Sequence, residues 1–392
     1  MMLARLFETR AVRDPGWVAW GRGDNVSAAT NSAAGMQVNE QSALQLLTVY
    51  GCVAFIADAI SLLPVCVYRQ TGEQRTEITP PTWLNEAHPD LPGPDMVNQI
   101  VASLLLAGNA YLIPVRNSTG QVLEVWPLHP SDVQVTRAQG QARATYFAYG
   151  QQLPQNSLVH IRALTLPGQV VGLNPVAYAR QTIGAGLAME EFGGRWFGEG
   201  SSPSGIVETP TQLTQEQTGM LRENFEQFHR GVKKSHGVAV LSGGATYRPI
   251  TIAPEDAQFL ETRNMTAAQI AAAMFRLPPD FVGATLPGGS SLTYQNITDR
   301  WTEVSRRALL PWISRIEWAF SYRMLPRPQV AKFDMDEYTR PDLTARYGAY
   351  AVGKNAGFLT NEDIRSWEDL PPITEPSAPV VSAADPAPPE GL

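Results

Sequence analysis

A run of 20 almost wholly apolar residues, 49–68, constrains the fold of this chain more than any other segment. Its length equals that of a bilayer-spanning helix, which needs roughly 20 apolar residues, but Asp58 lies near its centre and Pro64 near its end. Asp58 follows Val49 by nine residues and therefore faces about 180° away from it on a helix, towards water. The apolar side chains recur at steps of four and three residues, as in one stripe of a helix: Val49, Val53, Ile56, Ile60 and Leu63. We predict a soluble helix with one buried face, followed after Pro64 by a buried strand.

The rest of the chain mixes helices with strands, so the predicted fold class is α+β. Apolar runs between turn residues predict strands at 110–115, 122–127, 133–136, 145–149, 158–162, 238–241, 247–250 and 332–334. Helical periodicity and capping residues predict helices at 96–107, 175–197, 214–230, 255–276, 292–324, 344–352 and 361–367. Pro311 predicts a kink in the longest of these helices.

The helix that begins after Asn174, with Pro175 at its first position, is rich in small residues. Among them are Gly184, Ala185, Gly186, Ala188, Gly193 and Gly194. Each glycine inside a helix costs up to about 1 kcal/mol relative to alanine. Two explanations remain open: either a neighbouring element approaches closely or the helix bends, or tertiary packing outweighs the poor helix propensity.

Charge and cysteine content exclude several classes of protein. The 392 residues include 30 Lys and Arg against 37 Asp and Glu, a net charge of −7, which argues against a polybasic nucleic-acid binder. Only four of the cations are lysines. Cys52 and Cys66 lie in apolar runs, so we expect core side chains in a reducing compartment rather than a disulfide-stapled secreted fold. The N-terminal residues lack the apolar stretch of a signal peptide.

No cofactor or catalytic motif has its required context. Gly348-x-x-x-x-Gly353-Lys354 has the spacing of a phosphate-binding loop, but it lacks the following Ser or Thr and lies in a predicted helix. Gly184-x-Gly186 also lies in a helix rather than after a strand. The five histidines form no HExxH pattern, and there is no Gly-x-Ser-x-Gly elbow. We expect no cofactor, and an assembly protein rather than an enzyme.

One acidic pair supports an enzymatic alternative. Asp334 and Asp336 would lie on one face of a strand, about 6.6 Å apart along it, and paired carboxylates can hold Mg²⁺ or Mn²⁺. A metal-dependent nuclease is the function that such a site would serve. The structural alternative is an acidic helix cap or a solvated turn.

Four stretches resemble the portal proteins of tailed double-stranded-DNA bacteriophages, in the form common among long-tailed phages. Together they cover roughly residues 40–372. They are residues 42–69 with the apolar run, GLNP at 172–175 with the helix behind it, residues 237–279 beginning GVAVLSGGATYRPITIAPEDAQFLETR, and GFLTNE at 357–362 with LPP at 370–372. At residues 292–296 the chain has LTYQN, where relatives often carry a short Ser-Asn or Tyr-Ser-Asn segment.

The resemblance implies a portal fold with an α/β wing, a helical stem, a small α/β clip and a helical crown. The expected parts, in chain order, are a loosely held N-terminal arm (1–40), the wing (41–172), a stem helix (173–199), the clip (200–250), a second stem helix (251–282), a tunnel loop (283–291), a long kinked helix and strand returning to the wing (292–340), the crown (341–372) and a disordered tail rich in proline and alanine (373–392).

The resemblance also implies a function. Copies of the chain, usually twelve, would form a ring at one capsid vertex, in the virion and earlier in the host cytoplasm during assembly. Double-stranded DNA would pass through the ring during packaging and ejection. The implied partners are the terminase large subunit, a head-completion or adaptor protein and the major capsid protein, with no membrane. Another virion subunit, of the capsid or the tail, is the structural alternative.

Two sets of residues would serve this function. The tunnel-loop residues expected to face DNA are Leu286, Pro287, Gly288, Gly289, Ser290 and Ser291. Lys233 and Lys234, in the expected clip, would contact a partner. The alternative for the lysines is a solvated surface pair.

Overall fold

The computed structural model describes residues 30–72, 74–137, 143–199, 205–208, 214–215, 219, 246–249, 255–284, 295–335, 343–368 and 370–371. The chain divides into two compact units, Met1–Met335 and Asp336–Leu392. The described residues mix helices with antiparallel strands. The predicted α+β class is confirmed.

The described residues contain eleven α-helices. They are α1 (Glu40–Ala43), α2 (Leu47–Ser61), α3 (Thr82–Asn85), α4 (Gly93–Ala107), α5 (Pro175–Tyr178), α6 (Arg180–Glu199), α7 (Glu255–Gln269), α8 (Gln295–Val304), α9 (Leu310–Ala319), α10 (Leu343–Asn355) and α11 (Asn361–Trp367). Three π-helical turns extend or join them, at Ile270–Met274, Ser305–Leu309 and Phe320–Met324. Pro130–Asp132 and Pro279–Val282 form 3₁₀ turns.

The strands form small antiparallel sheets. They are β1 (Thr30–Asn31), β2 (Gln37–Val38), β3 (Val65–Thr71), β4 (Gln74–Ile78), β5 (Glu86–His88), β6 (Leu91–Pro92), β7 (Asn109–Arg116), β8 (Val122–Leu128), β9 (Val133–Thr136), β10 (Thr145–Ala148), β11 (Gln151–Gln152), β12 (Val159–Arg162), β13 (Gly205–Glu208), β14 (Thr246–Pro249) and β15 (Gln329–Phe333). The three-stranded sheets have the orders β12-β7-β8, β11-β10-β9 and β15-β3-β4. The remaining strands pair as β1-β2, β5-β6 and β13-β14.

Helix α2 is the buried helix that the apolar run predicts. Its apolar stripe is buried, and Asp58 is exposed on the opposite side, where its carboxylate accepts a 2.8 Å hydrogen bond from Asn98 Nδ2 of α4. The stripe packs against α4 and against two of the π turns. After Pro64 the chain continues as β3, as predicted. No helix among the described residues is both long enough and apolar enough to cross a membrane.

The sheets β12-β7-β8 and β11-β10-β9 share an apolar cluster. Tyr111 and Ile113 of β7 belong to this cluster, because alternate residues of a strand point to the same face. Their neighbour Leu112 is buried on the other face of the strand, where β7 lies next to α4. The other members come from β8, β9, β10 and the loops beside them: Leu128, Val133, Val135, Ala148, Leu153 and Val171.

The glycines of α6 divide into two groups. A Cβ at Gly184 would lie 2.3 Å from both Cβ and Oγ of Ser32, and a Cβ at Gly186 would lie 2.9 Å from Leu46 Cδ2. At Gly194 no described atom lies within 4 Å of the same position. Close approach of a neighbour is therefore confirmed for the first two glycines, and no described residue makes such an approach at the third.

The neighbour at Gly184 is the hairpin β1-β2, which belongs to the expected N-terminal arm. Ser32 is buried beside Gly184, and the Ala33 N–H donates a 2.9 Å hydrogen bond to Gln181 Oε1 of α6. The expectation of a loosely held arm is therefore wrong for this hairpin, because its backbone donates a hydrogen bond to α6 and Ser32 packs against Gly184. Residues 1–29 of the expected arm lie outside the described residues.

A pair of substitutions in α6 tests the close approach. Gly184→Ala should lower the free energy of unfolding by roughly 1–3 kcal/mol, because the new methyl group overlaps Ser32. Gly194→Ala is the matched control, and it should raise the free energy of unfolding by up to about 1 kcal/mol through helix propensity alone. Urea unfolding followed by circular dichroism measures both changes. Equal effects at the two positions would contradict the assignment.

The predicted kink at Pro311 corresponds to a π turn that ends at Leu309, two residues before that proline. Proline lacks an N–H and cannot continue the helical hydrogen-bond ladder. In the turn Ser305–Leu309 the Leu310 N–H donates instead to the Ser305 carbonyl, five residues earlier. This wider turn is one of the known causes of irregularity in a long helix.

A buried amide joins the β12-β7-β8 sheet to the chain that enters α5. Asn109 donates from Nδ2 to the carbonyls of Ala107 and Gly172, each at 3.0 Å. Its Oδ1 accepts from the Gly172 N–H at 2.6 Å and from His160 Nε2 at 2.9 Å. Since Oδ1 can only accept, His160 carries its proton on Nε2, and Nδ1 faces the Tyr146 hydroxyl at 3.3 Å. All four hydrogen-bonding positions of the amide are occupied.

His160 makes the stability depend on pH. Burial, with a smaller contribution from the Arg162 guanidinium, lowers the pKa of His160 well below its usual value. Below about pH 6.5 the unfolded chain binds a proton that the folded protein excludes. The free energy of unfolding should therefore fall as the pH falls, by up to ~1.4 kcal/mol per unit for this group. His160→Gln should reduce that slope between pH 6.5 and 5 in urea titrations, and an unchanged slope would contradict the assignment.

Candidate functional site

Of the predicted tunnel loop, 283–291, the structure describes Gly283 and Ala284, together with the residues on either side of the loop, which we call its two flanks. Its six expected DNA-facing residues, 286–291, lie outside the described residues, as do the rest of 285–294. The chain enters this segment from the turn Pro279–Val282 and Ala284, and leaves it at the start of α8. The contacts of these two flanks determine where the two ends of the segment lie in the structure.

The entering flank is a compact turn. Leu277 is buried, and its N–H donates a 2.9 Å hydrogen bond to the Ala271 carbonyl in the π turn after α7. The Ala284 N–H donates a 3.0 Å hydrogen bond to the Pro279 carbonyl, and Ala284 is itself buried. The backbone is therefore tied to the end of α7 up to the last described residue before the segment.

Three aromatic rings join both flanks to α2. Phe281 from the entering turn and Trp301 from α8 pack edge to face, with centroids 5.5 Å apart and planes at 80°. Phe55 of α2 meets Phe281 at 5.6 Å and Trp301 at 6.0 Å. Pairs of this geometry contribute about 0.5–1.5 kcal/mol beyond the area they bury. We call Phe55, Phe281 and Trp301 the aromatic triad.

An ion pair joins the same two flanks. Arg300 of α8 donates to the Asp280 carboxylate of the entering turn. The side chains are 27% and 38% exposed, and a partly solvated pair of this kind contributes at most about 1 kcal/mol. The aromatic triad is therefore the main connection between the flanks, and the ion pair orients them.

The two helices expected to form the stem, α6 and α7, are in contact. Arg263 of α7 donates to the Glu190 carboxylate of α6, with Nη2 and Oε1 2.6 Å apart. Both side chains are about half exposed. A cavity of about 160 Å³ lies between these helices, the start of α2 and the entering turn, and its lining includes Leu46, Gly186 and Val282.

The other predicted site residues are only partly described. Lys233, Lys234 and Asp336 lie outside the described residues. Strand β15 ends at Phe333, so the predicted strand at 332–334 is wrong in its bounds, and Asp334 stands beyond the strand. The Asp334 N–H donates a 2.9 Å hydrogen bond to the Pro64 carbonyl, which fixes the strand exit beside β3. No cluster of three potential metal ligands occurs in the part of the chain that the structure describes.

The glycine motifs lie in helices, as predicted. Gly353 is in α10, where a Cβ would lie 2.4 Å from Leu359 Cδ1. That glycine therefore permits packing within the second unit and does not form a phosphate-binding loop. Gly184 and Gly186 are in α6.

The cysteines are free thiols. Cys52 is buried in α2, and burial raises the pKa of its thiol to about 12, which makes it a poor nucleophile at neutral pH. Cys66, in β3, is half-buried. Core packing was predicted for both residues, and it is confirmed for Cys52.

No pattern in the sequence predicts the aromatic triad or the Asp280–Arg300 pair. Their members lie on three segments that are far apart in the chain, and no periodic pattern links residues 55, 281 and 301. The one local signal was the pair of prolines at 278–279, which predicts the end of a helix and a turn but not its partners.

A double-mutant cycle tests the aromatic triad. Phe281→Ala and Trp301→Ala should each lower the free energy of unfolding by roughly 2–3 kcal/mol, because each leaves a partly filled cavity. Their coupling energy should be about 1 kcal/mol, the amount expected for an aromatic pair.

The matched control for this cycle is a second aromatic pair in the same unit. Trp318 and Tyr322 have ring centroids 5.7 Å apart but are 52% and 51% exposed. Their coupling energy, measured in the same way on the isolated subunit, should be smaller because the rings are solvated there. A coupling at the triad no larger than that of this pair would contradict the assigned role.

Sequence comparisons identify relatives over most of the chain. The model of the family described as phage portal protein matches residues 47–369. The probable portal protein of Streptomyces phage phiC31 is 31% identical over 366 residues, which cover 88% of this chain and 79% of that protein. The portal protein of Enterobacteria phage HK97 is 25% identical over 355 residues, covering 86% of this chain and 81% of that protein.

A solved structure has a similar fold. It is the neck of a native gene transfer agent particle, computed with C12 symmetry. One of its chains superposes with a TM-score of 0.61 at 22% sequence identity, covering 91% of this chain and 96% of that chain. At this identity the match is a likeness of fold.

Proposed function

The chain belongs to the phage portal protein family, and on this premise we propose that twelve copies form a ring at one capsid vertex through which DNA is packaged and later ejected. The observation that carries the proposal is the extent of the family match. It spans residues 47–369 and so reaches from the start of α2 into the second compact unit. The C12 symmetry of the neck with a similar chain supports the number twelve.

The parts of the subunit would then follow the family plan. The wing takes 41–172 and 292–340, the stem 173–199 and 251–282, the clip 200–250 and the crown 341–372, with 373–392 as a disordered tail. Contact between α6 and α7, and the small residues of α6, suit a stem whose helices crowd around an axis. The separate compact unit that begins at Asp336 supports a distinct crown.

The tunnel loop, 283–291, would face the DNA through residues 286–291. This segment reads GATLPGGSS and carries no cation. A protein that neutralises phosphates gains affinity for each contact, so an uncharged loop lets the duplex slide. The aromatic triad supports this role because it anchors both flanks of the segment to α2.

The clip would dock the partners that change during assembly. We assign Lys233 and Lys234 to this contact, with the terminase large subunit first and a head-completion or adaptor protein afterwards. They are two of only four lysines in the chain, and they are adjacent. The wing would meet the major capsid protein. ATP hydrolysis for packaging would belong to the separate motor, in a ring that works in the host cytoplasm during assembly and stays in the virion.

Assembly of the purified chain tests the ring. Twelve copies of the 42.8-kDa chain should give a particle of about 510 kDa, because a contact that closes by rotation produces a ring of defined size. Mass photometry and negative-stain images should show discrete rings with a central hole. Monomers at every salt concentration, or closed shells, would contradict the proposal.

A further inference from the structure

A groove lined by several arginines lies beside β10 and β12. It has a volume of about 530 Å³ and runs between these strands and the end of the helix that contains α9. Four arginines line it: Arg137, Arg143, Arg162 and Arg323. We call it the arginine groove.

The described lining of the arginine groove contains no compensating carboxylate. No aspartate or glutamate belongs to its described lining, and the short gap at 138–142 reads AQGQA. Arg143 donates to Gln155 Oε1 at 2.9 Å, and Arg162 to the Val170 carbonyl at 3.4 Å. Arg137 donates to the Gly168 carbonyl. All four arginine side chains are exposed, so they concentrate positive charge on a chain whose net charge is −7.

Aromatic rings complete the arginine groove. Trp318 is 52% exposed at its wall, and the Arg323 guanidinium lies 5.9 Å from the centre of that ring. Tyr146 also lines the groove. Tryptophan, tyrosine and arginine are the residues most enriched at the energetic centres of protein interfaces. The combination fits an acidic protein surface better than a free anion, because the rings offer area that a small ion does not use.

The opposite edge of the same sheet is acidic. The arginine groove includes His160 and Arg162 of β12, one edge strand of the sheet β12-β7-β8. The β5-β6 hairpin contacts the other edge strand, β8, where His88 stacks on Trp126 with centroids 3.9 Å apart.

Three exposed acids stand on this hairpin and at the start of α4. They are Glu86, Asp90 and Asp95, which we call the acidic edge. None of them forms an ion pair with another described residue. The sheet therefore carries unpaired positive charge beyond one edge strand and unpaired negative charge beyond the other.

We propose that the arginine groove of one copy receives the acidic edge of the next copy around the ring. A closed ring requires two different complementary surfaces on each subunit, and two opposite edges of one sheet provide them. Each copy then supplies the carboxylates that its neighbour's arginines lack. The proposal rests on the proposed ring and names the contact that closes it.

Paired charge reversal tests this contact. One variant carries Arg143→Glu and Arg323→Glu, and the other carries Glu86→Arg and Asp90→Arg. Each variant alone should lose at least tenfold in ring yield by mass photometry, because like charges face each other at every interface. Mixed in equal amounts, the two variants should regain rings of wild-type mass, since alternating subunits restore opposite charges. A mass tag on one variant should report six tagged copies in each ring of twelve.

The controls separate this contact from folding and from the ring itself. Arg69→Glu with Arg75→Glu, on exposed positions of β3 and β4, should leave ring yield unchanged. The milder pair Arg143→Gln with Arg323→Gln should lower the salt concentration at which rings dissociate, which covers the case in which the glutamate variant fails to fold.

The outcomes are distinct. Rings formed by either reversed variant alone, or no rings from a mixture of two folded variants, would overturn the contact while the wild-type ring still stands. Intact variant rings that retain less of a 30-bp duplex would assign the arginine groove to nucleic acid instead. A wild-type chain that forms no ring would overturn the proposed function itself.

Discussion

Burial of helix α2 is the interaction on which the described part of the first unit depends. One side of the helix packs against α4, which leads directly into β7 and the sheet core. Phe55, on the same helix, holds Phe281 and Trp301. Each apolar side chain buried in such a stripe contributes about 1.5–3 kcal/mol. The sheet core and the flanks of the expected tunnel loop are therefore both positioned by this one helix.

A second constraint, at the end of α4, fixes where the chain enters the helices α5 and α6. Gly108 ends α4 with φ of +72°, and a Cβ there would lie 1.9 Å from the Leu173 carbonyl oxygen. Only glycine allows this approach, which brings Asn109 within hydrogen-bond distance of Gly172. The chain at 172–173 leads straight into Asn174, whose Oδ1 accepts from the Ala177 N–H and caps α5. The sheet and the small-residue helix α6 are thus joined by a satisfied polar contact rather than by a loose linker.

The charge of the chain is distributed in a way that suits a portal protein. A net charge of −7 gives the chain as a whole little attraction for a phosphate backbone, while four of its arginines lie together beside β12. Arginine forms planar bidentate contacts and is weakly hydrated, which suits protein interfaces. The acidic balance that argues against a sequence-reading DNA binder is compatible with a conduit whose strong electrostatic contacts lie between subunits.

The sequence alone determined many of the local elements and the family. The α2 helix, the strand after Pro64, the Asn174 cap and α11 with its Thr360 capping residue all depend on neighbouring residues, and short-range periodicity and capping chemistry predict such elements. The family resemblance came from ordered motifs along roughly the same residues that the family model matches.

Only the tertiary structure decided which distant residues meet. Strand β4, which the sequence analysis missed, has no apolar alternation because its side chains are mostly exposed, and it forms by pairing with β3. The aromatic triad joins residues 55, 281 and 301, and the arginine groove joins residues from 137 to 323. A pattern in sequence records which face of an element is buried, but not what covers it. The packing of remote elements supplies that information.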